Sequence, residues 1–455
     1  MSRKRTSKKS LPILNPDAAG IDIGATEIYV AVPADRDPEP VRNFGSFTAD
    51  LDTLADWLLH CSINTVAMES TGVYWIPLFQ ILESRGLEVY LVNAKHVKNV
   101  PGRRTDVSDC QWLQFLHSVG LLRASFRPPQ DICAIRSLLR HRDSLVEMAT
   151  CHVQHIQKAL DQMNLQLHHV IADITGTTGL AIVDAILDGQ RDVEKLAQLR
   201  DPRIRADKET IAKSLVGDYR PEHLFTLQQS VTMYREYQKK IADCEGEMQR
   251  LMKDLPTQAD PSKTLPTAKD SVRKCKVMKP ARAVALREEA YRILGVDLTT
   301  IPGISVLHVQ AILGEVGPDL SKFRSASAFS SWMGLCPDND ISGGKVLWRG
   351  TRKVRNRVAV TLRMAAQSLQ HSQSALGDFY RRMRSKLGAP KAITAAAHKL
   401  ARIVYHLLTT REAYDDSVFV KAEEKYRQRT EKRLRAQALS LGFNLVPAPA
   451  LAASK

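Results

Sequence analysis

The chain has 455 residues, with 65 Lys and Arg against 49 Asp and Glu, giving a formal net charge of +16 at pH 7. Its 44% hydrophobic and 25% charged residues exclude a mostly disordered chain, and no run approaches the roughly 18 apolar residues of a membrane span. The positive excess favours a polyanionic partner, most simply nucleic acid.

The length suggests about three domains. Seven scattered cysteines (Cys61, Cys110, Cys133, Cys151, Cys244, Cys275 and Cys336) form no C-x-x-C pair, which argues against a disulfide framework or a zinc ribbon. The start is basic (Arg3, Lys4, Arg5, Lys8, Lys9), but only Leu11-Pro12-Ile13-Leu14 follows, too short for a signal-peptide core. A cytoplasmic protein is therefore expected.

In chain order, residues 1–17 read as a basic flexible arm. Strands then alternate with helices over residues 18–125, which predicts an α/β domain. Two apolar runs around Gly24 predict a β-hairpin over residues 19–32. Residues 51–59 predict a helix with Asp50 as its cap, residues 64–68 a strand, residues 75–84 a helix stopped at Arg85-Gly86, residues 88–92 a strand, and residues 105–119 a helix stopped at Gly120.

Residues 126–255 change character. Ile135, Leu138, Leu145, Met148, Ile156 and Met163 recur mostly at threes and fours, as do Leu224, Leu227, Val231, Tyr234, Ile241, Met248 and Leu251. The pattern predicts two long amphipathic helices, a coiled-coil pair serving oligomerisation. His152, His155, His168 and His169 fall in this region; with no cysteine at suitable spacing they are expected to face solvent rather than zinc. Residues 256–284, rich in Pro and Lys, read as a flexible basic linker or insertion. Residues 285–412 are expected to be mostly helical, and residues 413–455 a charged helix and tail.

Phosphodiester chemistry with Mg²⁺ needs clustered hard oxygen ligands. The first domain offers Asp22 within Gly20-Ile21-Asp22-Ile23-Gly24, Glu69 just past a strand, and Asp106 and Asp109, three apart at a helix start and so on one face. Each has a plainer role: a turn aspartate, a solvent-facing strand end, an acid favouring a helix N-terminus. Their joint order within a βα domain of a basic protein suits an RNase H-like (RuvC-like) nuclease instead.

A second constellation lies near residue 342. Ser342 precedes Gly343-Gly344, and glycine lets a backbone approach a phosphate closely. Residues 341–377 contain no Asp or Glu but carry Lys345, Arg349, Arg352, Lys353, Arg355, Arg357 and Arg363. Cations beside a hydroxyl favour its attack on phosphorus; alternatively Ser342 is a turn residue and the arginines hold phosphates passively. Trp348, inside this run, is placed to stack on a base or to pack beside an arginine. Thr300-Ile301-Pro302-Gly303-Ile304 before a helical segment is like a helix-hairpin-helix, with Gly303 at a candidate phosphate contact, or else an ordinary Pro-Gly turn.

Together these motifs resemble the DEDD-type transposases of the insertion-sequence-110 family. The residues that carry the likeness are Gly20-Ile21-Asp22-Ile23-Gly24, Met68-Glu69-Ser70-Thr71-Gly72, Gly102-Arg103-Arg104-Thr105-Asp106-Val107-Ser108-Asp109, Ile301-Pro302-Gly303-Ile304, and Gly334-Leu335-Cys336-Pro337 up to Ser342-Gly343-Gly344-Lys345. The likeness covers roughly residues 18–125 and 297–410. It departs at Gly350–Asn356, where Arg355 stands in place of a glycine.

The resemblance implies an α/β plus all-α architecture: a RuvC-like domain, central coiled-coil helices, and a mostly helical C-terminal domain. It implies a metal site of Asp22, Glu69, Asp106 and Asp109 holding Mg²⁺, and Ser342 as a nucleophile that links covalently to DNA. Arg103, Arg104, Lys345, Arg349, Arg352, Lys353, Arg355, Arg357 and Gly303 would contact nucleic acid. The implied partners are double-stranded DNA (element ends and target), a structured noncoding guide RNA (the bridge RNA), and further copies of the chain in a dimer or tetramer; the implied setting is bacterial and nucleoid-associated. Three competing functions are a hydrolytic RuvC-like endonuclease or junction resolvase, a site-specific DNA invertase, and a non-catalytic nucleic-acid-binding regulator derived from a transposase.

Overall fold

The computed structural model describes residues 11–70, 72–93, 106–268, 272 and 278–446. The chain divides into two compact units after Arg127. The first is a mixed α/β unit: β1 (Ala18–Ile23), β2 (Glu27–Ala31), β3 (Val41–Gly45), α1 (Thr48–His60), β4 (Thr65–Glu69), α2 (Trp75–Ser84), β5 (Glu88–Val92) and α3 (Asp106–Ser118). The sheet order is β3-β2-β1-β4-β5. β1, β2 and β3 form an antiparallel meander, while β1–β4 and β4–β5 pair in parallel. This is consistent with the RNase H-like arrangement expected from the sequence.

Strand alternation sorts the side chains between two faces. Ala19, Ile21 and Ile23 of β1, Ile28 and Val30 of β2, and Val66 and Met68 of β4 turn to one face. There they pack on Leu51, Leu54 and Leu58 of α1 and Leu78, Phe79 and Leu82 of α2. The opposite face belongs to α3. Val92 packs on Leu113 and Leu116, the Tyr90 ring lies 4.6 Å from that of His117, and Thr65 Oγ1 is 2.8 Å from His117 Nε2. A Cβ on Gly20 would overlap the backbone of Cys110 and Gln114, so the helix rests directly on β1.

Two details differ from the sequence reading. Asp50 is not the cap of α1 but lies in its first turn, where its carboxylate accepts from the Phe47 backbone N–H at 3.2 Å. β3, not anticipated, adds an edge strand beside β2.

The second unit is helical around two 33-residue helices, α4 (Gln130–Gln162) and, after a cap of short helices, α9 (Pro221–Lys253). The cap holds α5 (Leu167–Val170), α6 (Thr177–Leu187), α7 (Val193–Gln198) and α8 (Lys208–Ser214). The long helices run antiparallel. Cys244 Sγ reaches Leu138 O at 3.3 Å, Leu145 and Ala149 pack with Ile241, and Ile156 and Leu160 pack with Leu227 and Val231. Most of the stripe residues read from the sequence thus pack within one chain, whereas Met148 stays exposed.

The chain continues through α10 (Pro280–Leu294), α11 (Val306–Val316), α12 (Ala326–Trp332), a hairpin of β6 (Asp340–Ser342) and β7 (Lys345–Trp348), α13 (Arg357–Ser368), α14 (Ala375–Leu387), α15 (Ala389–Thr410) and α16 (Ser417–Ser440). Glu315 of α11 is buried and salt-bridged to Arg136 at 2.8 Å and Arg140 at 2.9 Å, tying α11 to the first turns of α4. Arg287 and Asp297 form a buried pair, with Nε to Oδ2 at 2.9 Å, and Arg287 also donates to Pro266 O at 2.7 Å. Residues 256–268, expected as part of a linker, lie along α10: the backbone N–H groups of Gln258 and Ala259 donate to Arg292 O. Part of that Pro/Lys-rich stretch, and residues 1–10 of the arm expected over residues 1–17, lie outside the described residues. The rest of that arm is not free, since the Leu14 and Asn15 N–H groups donate to Ser118 O at 2.8 and 2.9 Å. No helix among the described residues is long and apolar enough to cross a membrane.

Burial holds His117 neutral, with its pKa pulled down to about 4 from 6.5. The unfolded chain binds that proton first as pH falls, so the stability is complete above about pH 6.5 and is lost progressively toward pH 4. The loss approaches about 3 kcal/mol from this residue. Urea unfolding of wild type and His117→Gln across this window checks it: the mutant, weaker at pH 7, is expected to show a flatter pH dependence.

Candidate nucleic-acid-processing site

The last register pair of β1 and β4 is Ile21 with Met68. Asp22 and Glu69 are the next residues of two adjacent parallel strands, and both are half-buried. Glu69 is the final residue of β4 rather than just beyond it. Alternation turns Asp22 and Glu69 to the face that carries Gly20 and Thr65, hence to α3.

α3 runs antiparallel to β1. Gln114 Nε2 donates to Ala18 O at 3.2 Å, and Cys110 lies against Gly20. One residue earlier, Asp109 is therefore carried toward the Asp22 end of the strand, and it too is half-buried. The electrostatics agree. The buried Cys110 thiol is pushed up to about 12, first by burial, with the negative charges of Asp22 and Asp109 adding to it. Both carboxylates thus act on one thiol. Asp106 opens the same helix, three residues before Asp109. Arg103 and Arg104 lie outside the described residues.

Asp22, Glu69 and Asp109 supply only hard oxygen donors, the set that suits Mg²⁺. Their oxygens do not all approach within 4.8 Å of one another. The residues share a face and a strand end without forming a closed ligand cage.

Ser342 belongs to the second unit. It ends β6 and pairs with Lys345 of β7 across Gly343 and Gly344. Both glycines have positive φ, +54° and +77°, as a tight two-residue hairpin requires. Open space surrounds both, and the serine is exposed. The sequence showed the turn but not the strands, because Ile341, Val346, Leu347 and Trp348 remain exposed and no buried alternation marks them.

The basic residues divide into two groups. Lys345, Arg349, Lys353 and Arg355 are exposed and have no ion-pair partner among the described residues. Arg352 donates to Ser331 O. Arg357 is salt-bridged to Asp143 and stands 4.0 Å from Glu315, bracing α13 against α4. Gly303 has φ +86°, and a Cβ there would meet Ala365 O at 2.6 Å, so it packs on α13. The Glu315–Arg136–Arg140–Arg357 cluster escaped sequence reasoning; the one available signal was a glutamate inside the apolar run of α11.

Two family models match the chain. A transposase model of the DEDD type from insertion sequence IS110 matches residues 19–165. A second, described as Transposase IS116/IS110/IS902 family, matches residues 297–381. The first spans Asp22, Glu69, Asp106 and Asp109; the second spans Gly303, Ser342 and the basic run. Among curated relatives, the chain is 33% identical over 127 residues to "Putative transposase y4pF/y4sB" of Sinorhizobium fredii, covering 26% of this chain and 32% of that protein. It is 29% identical over 120 residues to the transposase for insertion sequence element IS1111A of Coxiella burnetii, covering 25% of this chain and 33% of that protein. The chain thus spans about a third of the length of the curated relatives it matches.

The closeness of α3 to β1 gives a direct test. Gly20→Ala is expected to destabilise the protein by about 1–3 kcal/mol, because the added methyl meets helix backbone that cannot yield. Gly246→Ala, in α9 with open space around it, is expected to be neutral or stabilising by about 0.4–1 kcal/mol. Chemical denaturation of the two variants beside wild type measures the contrast.

Proposed function

The chain belongs to the IS116/IS110/IS902 family of transposases, and we propose that it is a DNA recombinase that cuts and rejoins the ends of a mobile insertion sequence through a phosphoserine intermediate. The observation that carries this reading is the pairing of β1 with β4, which sets Asp22 beside Glu69 on the face covered by the helix bearing Asp106 and Asp109.

Asp22, Glu69, Asp106 and Asp109 would hold Mg²⁺, which supplies charge neutralisation at the scissile phosphate. The exposed Ser342 hydroxyl attacks phosphorus and loses its proton. One P–O bond to the adjacent deoxyribose breaks, leaving a strand with a free hydroxyl and a phosphoserine on the protein. A hydroxyl from the incoming strand then attacks the phosphoserine and restores the serine. The phosphodiester energy is kept in the covalent link, so rejoining needs no nucleotide cofactor.

Lys345, Arg349, Lys353 and Arg355 would bind backbone phosphates, since they are exposed and have no ion-pair partner among the described residues. Arg352 and Arg357 stand beside them with internal partners of their own. The reading extends to double-stranded element-end and target DNA, to a structured noncoding RNA that guides their choice, and to a dimer or tetramer. Support for the last two is the family resemblance alone.

The test uses purified protein, Mg²⁺, element-end DNA and RNA transcribed from the flanking noncoding region. Wild type is expected to give a DNA-linked protein band on a denaturing gel. Ser342→Ala is expected to lose that band and recombination while still binding DNA. Asp22→Asn is expected to lower cleavage by a factor of about a hundred or more. Cleaved DNA with no linked protein would replace the serine mechanism with hydrolysis by a RuvC-like nuclease.

A further inference from the structure

We propose that Asp161, His168 and His169 form a zinc-type metal site that staples the end of α4 to the short helix α5. The site is separate from the all-oxygen carboxylate set of the first unit and uses different chemistry. Two imidazoles and one carboxylate, with water as a fourth ligand, suit Zn²⁺ rather than Mg²⁺.

A ligand atom from each of the three residues lies within 4.8 Å of the other two. His168 Nε2 stands 3.5 Å from Asp161 Oδ1, too far for a good hydrogen bond. Two ligands held at zinc's usual bond lengths in a tetrahedron stand roughly 3.3 Å apart. The pair is thus spaced for a shared ion more than for direct contact. The His168 side chain is only 10% exposed, and its Nδ1 is buried without a hydrogen-bond partner. The expectation that these histidines simply face solvent does not fit His168.

The ligands are also held in place without a metal. Leu160, Met163, Leu165 and Leu167, which flank them, are fully buried. Asn164 reverses the chain with φ +57°. Its N–H donates to Asp161 O at 2.9 Å, Leu165 N–H to Leu160 O at 2.8 Å, and Gln166 N–H to Ser214 O at 2.7 Å. A preformed backbone lowers the ordering cost of binding. Sequence spacing alone hid the set, because the third ligand is an aspartate and not a cysteine.

The test is equilibrium dialysis of the full-length, chelator-stripped protein against Zn²⁺, followed by metal quantification. Asp161 and His169 are exposed, so Asp161→Ala and His169→Ala should fold, which circular dichroism checks. Each is expected to bind one zinc fewer per chain than wild type, or to bind it about tenfold or more weakly. Asp109→Asn serves as the control that removes a carboxylate of the first unit and leaves this zinc in place. Zinc should also raise the unfolding temperature of wild type but not of His169→Ala. Equal stoichiometry and affinity in wild type, Asp161→Ala and His169→Ala would overturn the proposal, as would loss of all bound zinc in Asp109→Asn.

Discussion

The arrangement of the first unit depends on how closely one helix can approach one strand. β1 presents Ala18, Gly20 and Asp22 to α3, and the first two have almost no side chain. Gly20 lets the backbone at Cys110 and Gln114 come within contact of the strand. Glycine inside a strand weakens the sheet, and its usual justification is such a close approach. The ties at the far end of the helix, from His117 to Thr65 and Tyr90, fix its tilt and register. Asp109 then has only one place to go: the carboxyl ends of β1 and β4. A bulkier residue at position 20 would lift the helix and carry Asp109 away from Asp22.

The second unit solves a different problem, that of holding two helices of about 50 Å each to a compact helical body. The apolar seam between α4 and α9 supplies most of their mutual adhesion. The base of α4 is secured by charge. Glu315 is buried, and a buried carboxylate is costly unless it is paired and hydrogen-bonded. Arg136 and Arg140 provide both, and the guanidinium neighbours hold the Glu315 carboxyl below its ordinary value against the opposing effect of burial. Removing one arginine leaves the other to share the charge; removing Glu315 leaves cations facing one another. The cluster therefore binds α11, α13 and α4 into a single body.

How much of this was legible follows from where each signal is stored. β1, β4 and β5 could be read because their apolar runs are continuous, as buried strands require. β3 could not: Val41-Arg42-Asn43-Phe44-Gly45 is an edge strand whose two ends are only half-buried, and its pattern is that of a loop. The elements that carry the four acidic residues were legible because the strands and the helix start are local properties of the sequence. The approach of α3 to Gly20 was not, since nothing near Gly20 names Cys110 or Gln114, some 90 residues away. The long helices were readable from their stripes, but a stripe does not say whether its partner lies in the same chain.

The basic run shows the same limit more sharply. Sequence counts Arg357 and Arg349 as equals, yet Arg357 meets Asp143, more than 200 positions earlier, whereas Arg349 meets no partner among the described residues. A net charge of +16 is therefore not +16 of available surface, because part of it is consumed inside the fold. What remains around the hairpin is a short set of cations beside exposed Leu347 and Trp348. Exposed apolar side chains cost free energy in water, so a folded monomer gains nothing from holding them at a hairpin tip. Cations with an aromatic ring between them do match a nucleic-acid strand, whose phosphates and base faces need both. The same segment carries Ser342, which is exposed, beside a two-glycine turn with open space around both glycines. The features that make this hairpin a poor piece of core leave it open to a ligand from solvent.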